Sequence, residues 1–195
     1  MACGWHRYDG LTNYRAEELA QQARMLTILA LYHSYSGDDA FLLTHFAKAK
    51  ALADWLTARR ATSLGYGRDD PRYGMIPGLD EGDNFVHVYF HSQPQSHWYS
   101  AAAEAYRAFT EIGRVWVAVG SATGQAQVSA HGVALLSLAP LLHHDLHASL
   151  NRTVNTTASP GHRCYSHTAD GTDFFFGCER TRALRSRSPM RGRAY

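Results

Sequence analysis

Residues 96–119, SHWYSAAAEAYRAFTEIGRVWVAV, decide how the rest of the chain is read. Their apolar positions Trp98, Ala102, Ala105, Phe109, Ile112, Trp116 and Val119 follow steps of four and three in strict alternation. At 3.6 residues per turn this spacing lines one face of a helix, whereas a half-buried strand needs every second residue to be apolar. The seam keeps its phase through Gly113, so it predicts one unbroken helix with Gly120 as its stop signal. A helix carrying one such stripe buries it against other helices.

Three further segments repeat the pattern. Residues 15–35 place Glu17 and Glu18 in a first turn, where the helix dipole favours acids. The apolar residues of this segment, Leu19, Met25, Leu26, Ile28, Leu29 and Leu31, reach most of the way round, which predicts burial on several sides. A second helix carries Leu42, Phe46, Ala49, Ala53 and Leu56 and opens at Asp38 or Asp39 as N-cap. A fourth begins after Ser121 and runs through Val128, Leu135, Leu142, Leu146 and Leu150, with Pro140 expected to kink or restart it.

The connections then set the topology. Residues 36–38 and 120–124 are short links, which force antiparallel neighbours and give two αα-hairpins. Between the hairpins lies a long segment, 61–95, rich in Tyr, Phe and acids, a length that in a compact domain points to function. If the helices alternate in direction, residues 1–14, 61–96 and 151–179 gather at one end, and the opposite end has only the two tight turns. The gathered segments hold the carboxylates, imidazoles and aromatic rings, so the chemistry is expected there.

Composition bounds the partners. A chain of 195 residues with 45% hydrophobic and 12% aromatic content is enough for one folded domain with one core, assigned to residues 1–179. That part holds 13 basic and 17 acidic side chains, a net of −4, while residues 180–195, RTRALRSRSPMRGRAY, hold six Arg and no acid. The tail reads first as a solvated, disordered terminus, with binding to nucleic acid or anionic surfaces as its alternative, and the acidic body lacks the basic stripe that nucleic acid requires. No run of eighteen apolar residues suggests a membrane span, and MACGWHRYDG has no apolar core of a signal peptide. Cys3, Cys164 and Cys178 form neither a disulfide framework nor a zinc spacing, although Cys164 and Cys178 could bridge in an oxidising compartment. Asn151 and Asn155 begin glycosylation sequons, which leaves the compartment open.

Aromatic faces beside carboxylates suit sugars, because rings stack on pyranosides and acceptors fix hydroxyls. Tyr73, Trp98, Trp5 and Tyr165 are the candidate platforms, and Asp80 a candidate hydroxyl acceptor. Glycosidic hydrolysis needs two carboxyl groups, one protonated. Asp80, Glu81 and Asp83 lie close enough in sequence for repulsion to raise one pKa, so Glu81 is the candidate acid and Asp83 the candidate base-side group. Asp170 or Asp173 is a more distant candidate partner in the catalytic reading, and the alternative is a solvated acidic turn around Gly82.

The turn Tyr35-Ser36-Gly37-Asp38-Asp39-Ala40-Phe41-Leu42, and above all Tyr73-Gly74-Met75-Ile76-Pro77-Gly78 followed by Asp80 and Glu81, resembles six-hairpin glycosidase-type proteins. In those (α/α)6 toroids a loop of this kind precedes a helix that starts with an aromatic residue, here Trp98. The resemblance spans roughly residues 15–150 and implies a carbohydrate-processing toroid with its cleft at the long-loop end. For an active chain it implies inversion through a water, with carboxyl groups about 6.5–9.5 Å apart rather than about 5 Å. A complete toroid has six hairpins, so two hairpins imply a partial domain with apolar helix faces available for self-association.

Competing motifs fall short. His143, His144 and His147 share a helix face, as do His87 and His91 if helical, yet no His-Glu-x-x-His occurs and no metal or other cofactor is assigned. The spacing of a calcium EF-hand is absent around Asp80 and Asp83. Asp38-Asp39 and Asp69-Asp70 lack a third acid for diphosphate binding, no phosphate loop occurs, and Ser129 with His131 lacks a nucleophile-elbow context. The reading is an all-α array of antiparallel hairpins forming part of an (α/α)6 toroid, with carbohydrate recognition or glycoside hydrolysis at the long-loop end. The alternative is a non-catalytic helical scaffold or glycan-binding module.

Overall fold

The computed structural model describes residues 19–78, 96–153, 162–164, 168–170 and 178–180. The architecture is all-α: helices α1 (Leu19–Ser36), α2 (Asp39–Ser63), α3 (Tyr99–Thr123) and α4 (Ala126–Thr153) form two hairpins. A short antiparallel ribbon of β1 (His162–Cys164) and β2 (Cys178–Arg180) follows, with Cys164 opposite Cys178 in its register. α3 sits centrally, packed against its hairpin partner α4 on one side and against α1 on the other.

Local chemistry makes the first hairpin. Gly37 takes φ 63°, and its N–H donates to the His33 carbonyl at 2.8 Å to close α1. The Asp38 carboxylate then accepts from the Phe41 N–H at 2.9 Å, so Asp38, not Asp39, caps α2. Asp39 lies in the first turn, with the His33 ring at 2.7 Å.

The α3 seam is buried as its spacing demands, with Ala102, Ala105, Phe109, Ile112 and Trp116 all fully inaccessible. Phe46 of α2 meets Trp116 edge-on at a centroid distance of 5.1 Å, so the core joins both hairpins. Gly120 does not end the helix. α3 continues to Thr123 and stops at Gly124, whose φ of 71° supplies the left-handed cap. Gly120 serves close packing instead, because a Cβ there would overlap the backbone of Ser129. Further along the same pair of helices, a Cβ at Gly132 would lie 2.6 Å from the Gly113 carbonyl oxygen. Small residues thus let α3 and α4 approach backbone to backbone.

Two other expectations need correction. Of the two outcomes expected at Pro140, a kink or a restart, the restart does not occur, and α4 runs as one helix from Ala126 to Thr153. Pro140 lies on the exposed face, where water can satisfy the carbonyl its ring leaves unpaired, while Ala139 and Leu142 stay buried on the other side. α1 is not covered on several sides either. Leu19, Ala23 and Leu26 face the core, but Ile28 is 51% and Tyr32 40% exposed, because the described helices cover only part of its circumference. These side chains and Phe41 of α2 line an apolar groove of about 290 Å³. The expected start of this helix near residue 15 lies outside the described residues. Among those described, no helix is long and apolar enough to cross a membrane.

Candidate functional site

The loop after α2 is pinned rather than draped. The Ser63 hydroxyl donates to the Met75 carbonyl, Arg59 donates to the Pro77 carbonyl at 3.2 Å, and Met75 and Ile76 are fully buried. Gly78 pairs with Ser96, Trp98 pairs with Thr168, and the Ala169 N–H donates to the His97 carbonyl at 3.0 Å. The Tyr99 hydroxyl reaches Thr153 at 2.6 Å, which joins the start of α3 to the end of α4. The end of α2, the start of α3, the end of α4 and residues 168–170 therefore meet at one end of the bundle. The turns within the hairpins occupy the other.

Between the ends of α2 and α4 lies a pocket of about 370 Å³. Its charged floor is the pair Arg60–Asp145, whose side chains are only 7% and 10% exposed. Gly74 closes over that pair: its φ of 70° needs glycine, and a Cβ there would run into the Asp145 carboxylate. Tyr73 therefore reaches the pocket wall on a backbone fixed from both sides. Arg68, His144 and Arg152 complete the polar lining, and Leu64, Leu141 and Ala148 the apolar part. The Arg68 guanidinium lies 5.7 Å from the Tyr73 ring centroid, within reach of a cation–π contact.

A second cluster ties down the same end. The carboxylate of Asp170 accepts from the His97 backbone N–H at 2.6 Å and lies 3.1 Å from His97 Nδ1. Burial would raise this carboxyl group, but hydrogen bonding to His97 and the nearby Arg72 charge outweigh it and hold Asp170 below the ordinary range. Arg72 binds Asp70 with two nitrogens, at 3.0 and 2.6 Å, and this holds Asp70 down at about 2. The Arg72 guanidinium stacks 4.1 Å from the Tyr66 ring, which in turn meets His97 edge-on at 5.6 Å. With its side chain 5% exposed, His97 acts here as a latch between segments.

Of the sequence-derived candidates, Tyr73 lines the pocket. Trp98 is half-buried at the N-cap of α3 and packs on the core, and it is not part of that lining. Asp170 forms the latch with His97. Glu81, Asp83, Asp80, Trp5, Tyr165, Asp173, His87 and His91 lie outside the described residues. His143 and His147 bring their Nε2 atoms to 3.1 Å, yet among the described residues no group of three metal-ligating side chains exists.

Arg60 and Asp145 escaped the sequence reading, although a signal was there. Arg60 continues the α2 seam Leu42, Phe46, Ala49, Ala53, Leu56 at the next step of four, and Asp145 lies three residues after the buried Leu142. Charged residues in phase with two apolar seams predict a buried pair. Comparison of the chain with protein-family models, with curated proteins and with solved structures finds no match.

Proposed function

We propose that this protein is carbohydrate-active, binding a sugar at the long-loop end of the bundle. One observation carries the reading: Tyr73 forms an aromatic wall of a pocket of about 370 Å³ that also presents guanidinium and imidazole groups. That combination suits a pyranoside, with one apolar face for stacking and a rim of hydroxyls for hydrogen bonds. The volume fits ligand sites, which span roughly 300–1,000 Å³. The similarity of Tyr73-Gly74-Met75-Ile76-Pro77-Gly78 to the loop of six-hairpin glycosidase-type proteins supports the same reading. In the hydrolytic form of the proposal, Glu81 protonates the leaving oxygen and Asp83 works on the water side.

A binding function without turnover has its own support. Among the described residues Asp145 is the one carboxylate in the pocket lining, and Arg60 already engages it, so it is poorly placed as a free acid or base. Glycan-array binding and hydrolysis of aryl glycosides separate the two forms. Tyr73→Ala is expected to weaken glycan binding in both, whereas Glu81→Gln abolishes turnover only in the hydrolytic one and leaves the helical circular dichroism unchanged. Full hydrolysis by Glu81→Gln removes the catalytic assignment, and a wild-type chain that binds no glycan removes the carbohydrate reading.

A further inference from the structure

We infer that the pocket between α2 and α4 takes a ligand bearing an anionic oxygen group, a carboxylate or a phosphate, held by Arg68 and Arg152. This deepens the proposed function by naming the ligand's charge, and it rests on the pocket being a ligand site. The floor contributes no net charge, because Arg60 and Asp145 cancel each other. The remaining polar residues of the walls, Arg68, Arg152, His144 and Tyr73, are cationic or hydrogen-bonding.

Arg24 holds Glu104, Arg60 holds Asp145, Arg72 holds Asp70 and Arg107 holds Glu111. Arg68 and Arg152 share with Arg114 the lack of a carboxylate partner among the described residues, and of these three only Arg68 and Arg152 line the pocket. They do so in a body whose residues 1–179 carry net charge −4. Two guanidinium groups on one pocket, without a carboxylate partner among the described residues, form a local positive field. Guanidinium is planar, always charged and matched to the paired oxygens of a carboxylate or phosphate.

Helix dipoles explain part of this arrangement but not all of it. Arg60 and Arg152 lie in the last turns of α2 and α4, where the negative helix end favours cations. Arg68 comes from the loop beyond α2 and gains nothing from a dipole of its own, yet it lines the same pocket, with its guanidinium near the Tyr73 ring. An anionic substituent on a sugar stacked against Tyr73 would meet both groups. Chain from two different elements thus converges on one ligand charge.

Isothermal titration of the full chain with glucuronate, glucose 6-phosphate, inorganic phosphate and glucose tests the inference. At least one of the three anions is expected to bind more tightly than glucose, and added salt should weaken that binding. Comparing the carboxylate with the two phosphates identifies the preferred oxyanion. Arg68→Gln and Arg152→Gln, both at exposed positions, should each lower anion affinity about tenfold. Circular dichroism of the variants checks that both remain folded. Undiminished anion binding by the double variant overturns the inference, as does failure of all three anions to bind. Binding of glucose or neutral glycans without any preference for the anions overturns it while leaving the carbohydrate reading intact. Binding of inorganic phosphate alone, lost in both variants, upholds the anion site and counts against the sugar.

Discussion

The guanidinium of Arg60, in the last turn of α2, meets the carboxylate of Asp145 on α4, and the backbone of Gly74 lies directly against that carboxylate. One buried pair thus joins the two hairpins and seats the loop that carries Tyr73. Removing one partner leaves the other charge buried and uncompensated. Asp145→Ala is expected to cost about 3–5 kcal/mol in urea unfolding, while Arg60→Met with Asp145→Leu recovers most of it. A single variant within about 1 kcal/mol of wild type would show that water reaches the pair.

Glycines with similar dihedral angles are expected to differ in tolerance. Gly37 has φ 63° with nothing near its missing Cβ, and Gly74 has φ 70° with Asp145 in the way. Gly37→Ala should cost about 1–2 kcal/mol, the backbone penalty alone. Gly74→Ala should cost roughly 3 kcal/mol or more and also perturb the Tyr73 environment by fluorescence. Equal losses in thermal unfolding would mean that the loop yields and the close contact is unimportant.

The His97–Asp170 latch predicts acid sensitivity. The Asp170 carboxyl is held below its ordinary value of 3.8 in the folded chain, so its contribution is fully present above that value and is lost as pH falls through the depressed folded value. Asp170→Asn should therefore be less stable than wild type at pH 7, with the gap narrowing below about pH 4. Urea midpoints across the acid range check this. A gap that stays constant with pH assigns the loss to packing rather than charge.

The register of the ribbon makes a redox prediction. Directly opposed residues on antiparallel strands have Cα atoms about 4.5–5.5 Å apart, within the range a disulfide spans. Cys164 and Cys178 are opposed in this way. Mild oxidation should remove two free thiols without dimer formation and stabilise the ribbon by up to roughly 3 kcal/mol. Thiol titration with peptide mapping decides it; a bridge that involves Cys3 instead would contradict the register.

Small-residue packing sets a limit on α3 and α4. An alanine ordinarily improves a helix interior over glycine by about 1 kcal/mol. At Gly132 the added methyl would meet the Gly113 carbonyl at 2.6 Å and Val117 at 2.8 Å, so Gly132→Ala is expected to destabilise by about 1–3 kcal/mol. A raised melting temperature would show that the helices can separate at little cost.

Most of the helical framework was legible because periodicity is a local property. The α3 seam and the short link at Gly37 report directly on helix faces and chain reversal, whatever lies elsewhere. Boundaries were less secure: Gly120 reads as a stop and proves to be a packing contact, because only the approach of α4 explains why a side chain is absent there. The exposure of Ile28 and Tyr32 escaped for a related reason, since an apolar residue does not reveal which neighbours are present to cover it.

The sequence by itself determined an all-α chain of two antiparallel hairpins, because 3.6-residue periodicity and short turns are written into consecutive residues. It also placed Tyr73 in the connection between the hairpins. Only the tertiary structure decided that Tyr73 shares a pocket with Arg68 and Arg152, and that Arg60 and Asp145, 85 positions apart, form its floor. Charge pairing across such a separation depends on how two hairpins dock, and docking is settled by the fit of whole surfaces rather than by any local spacing.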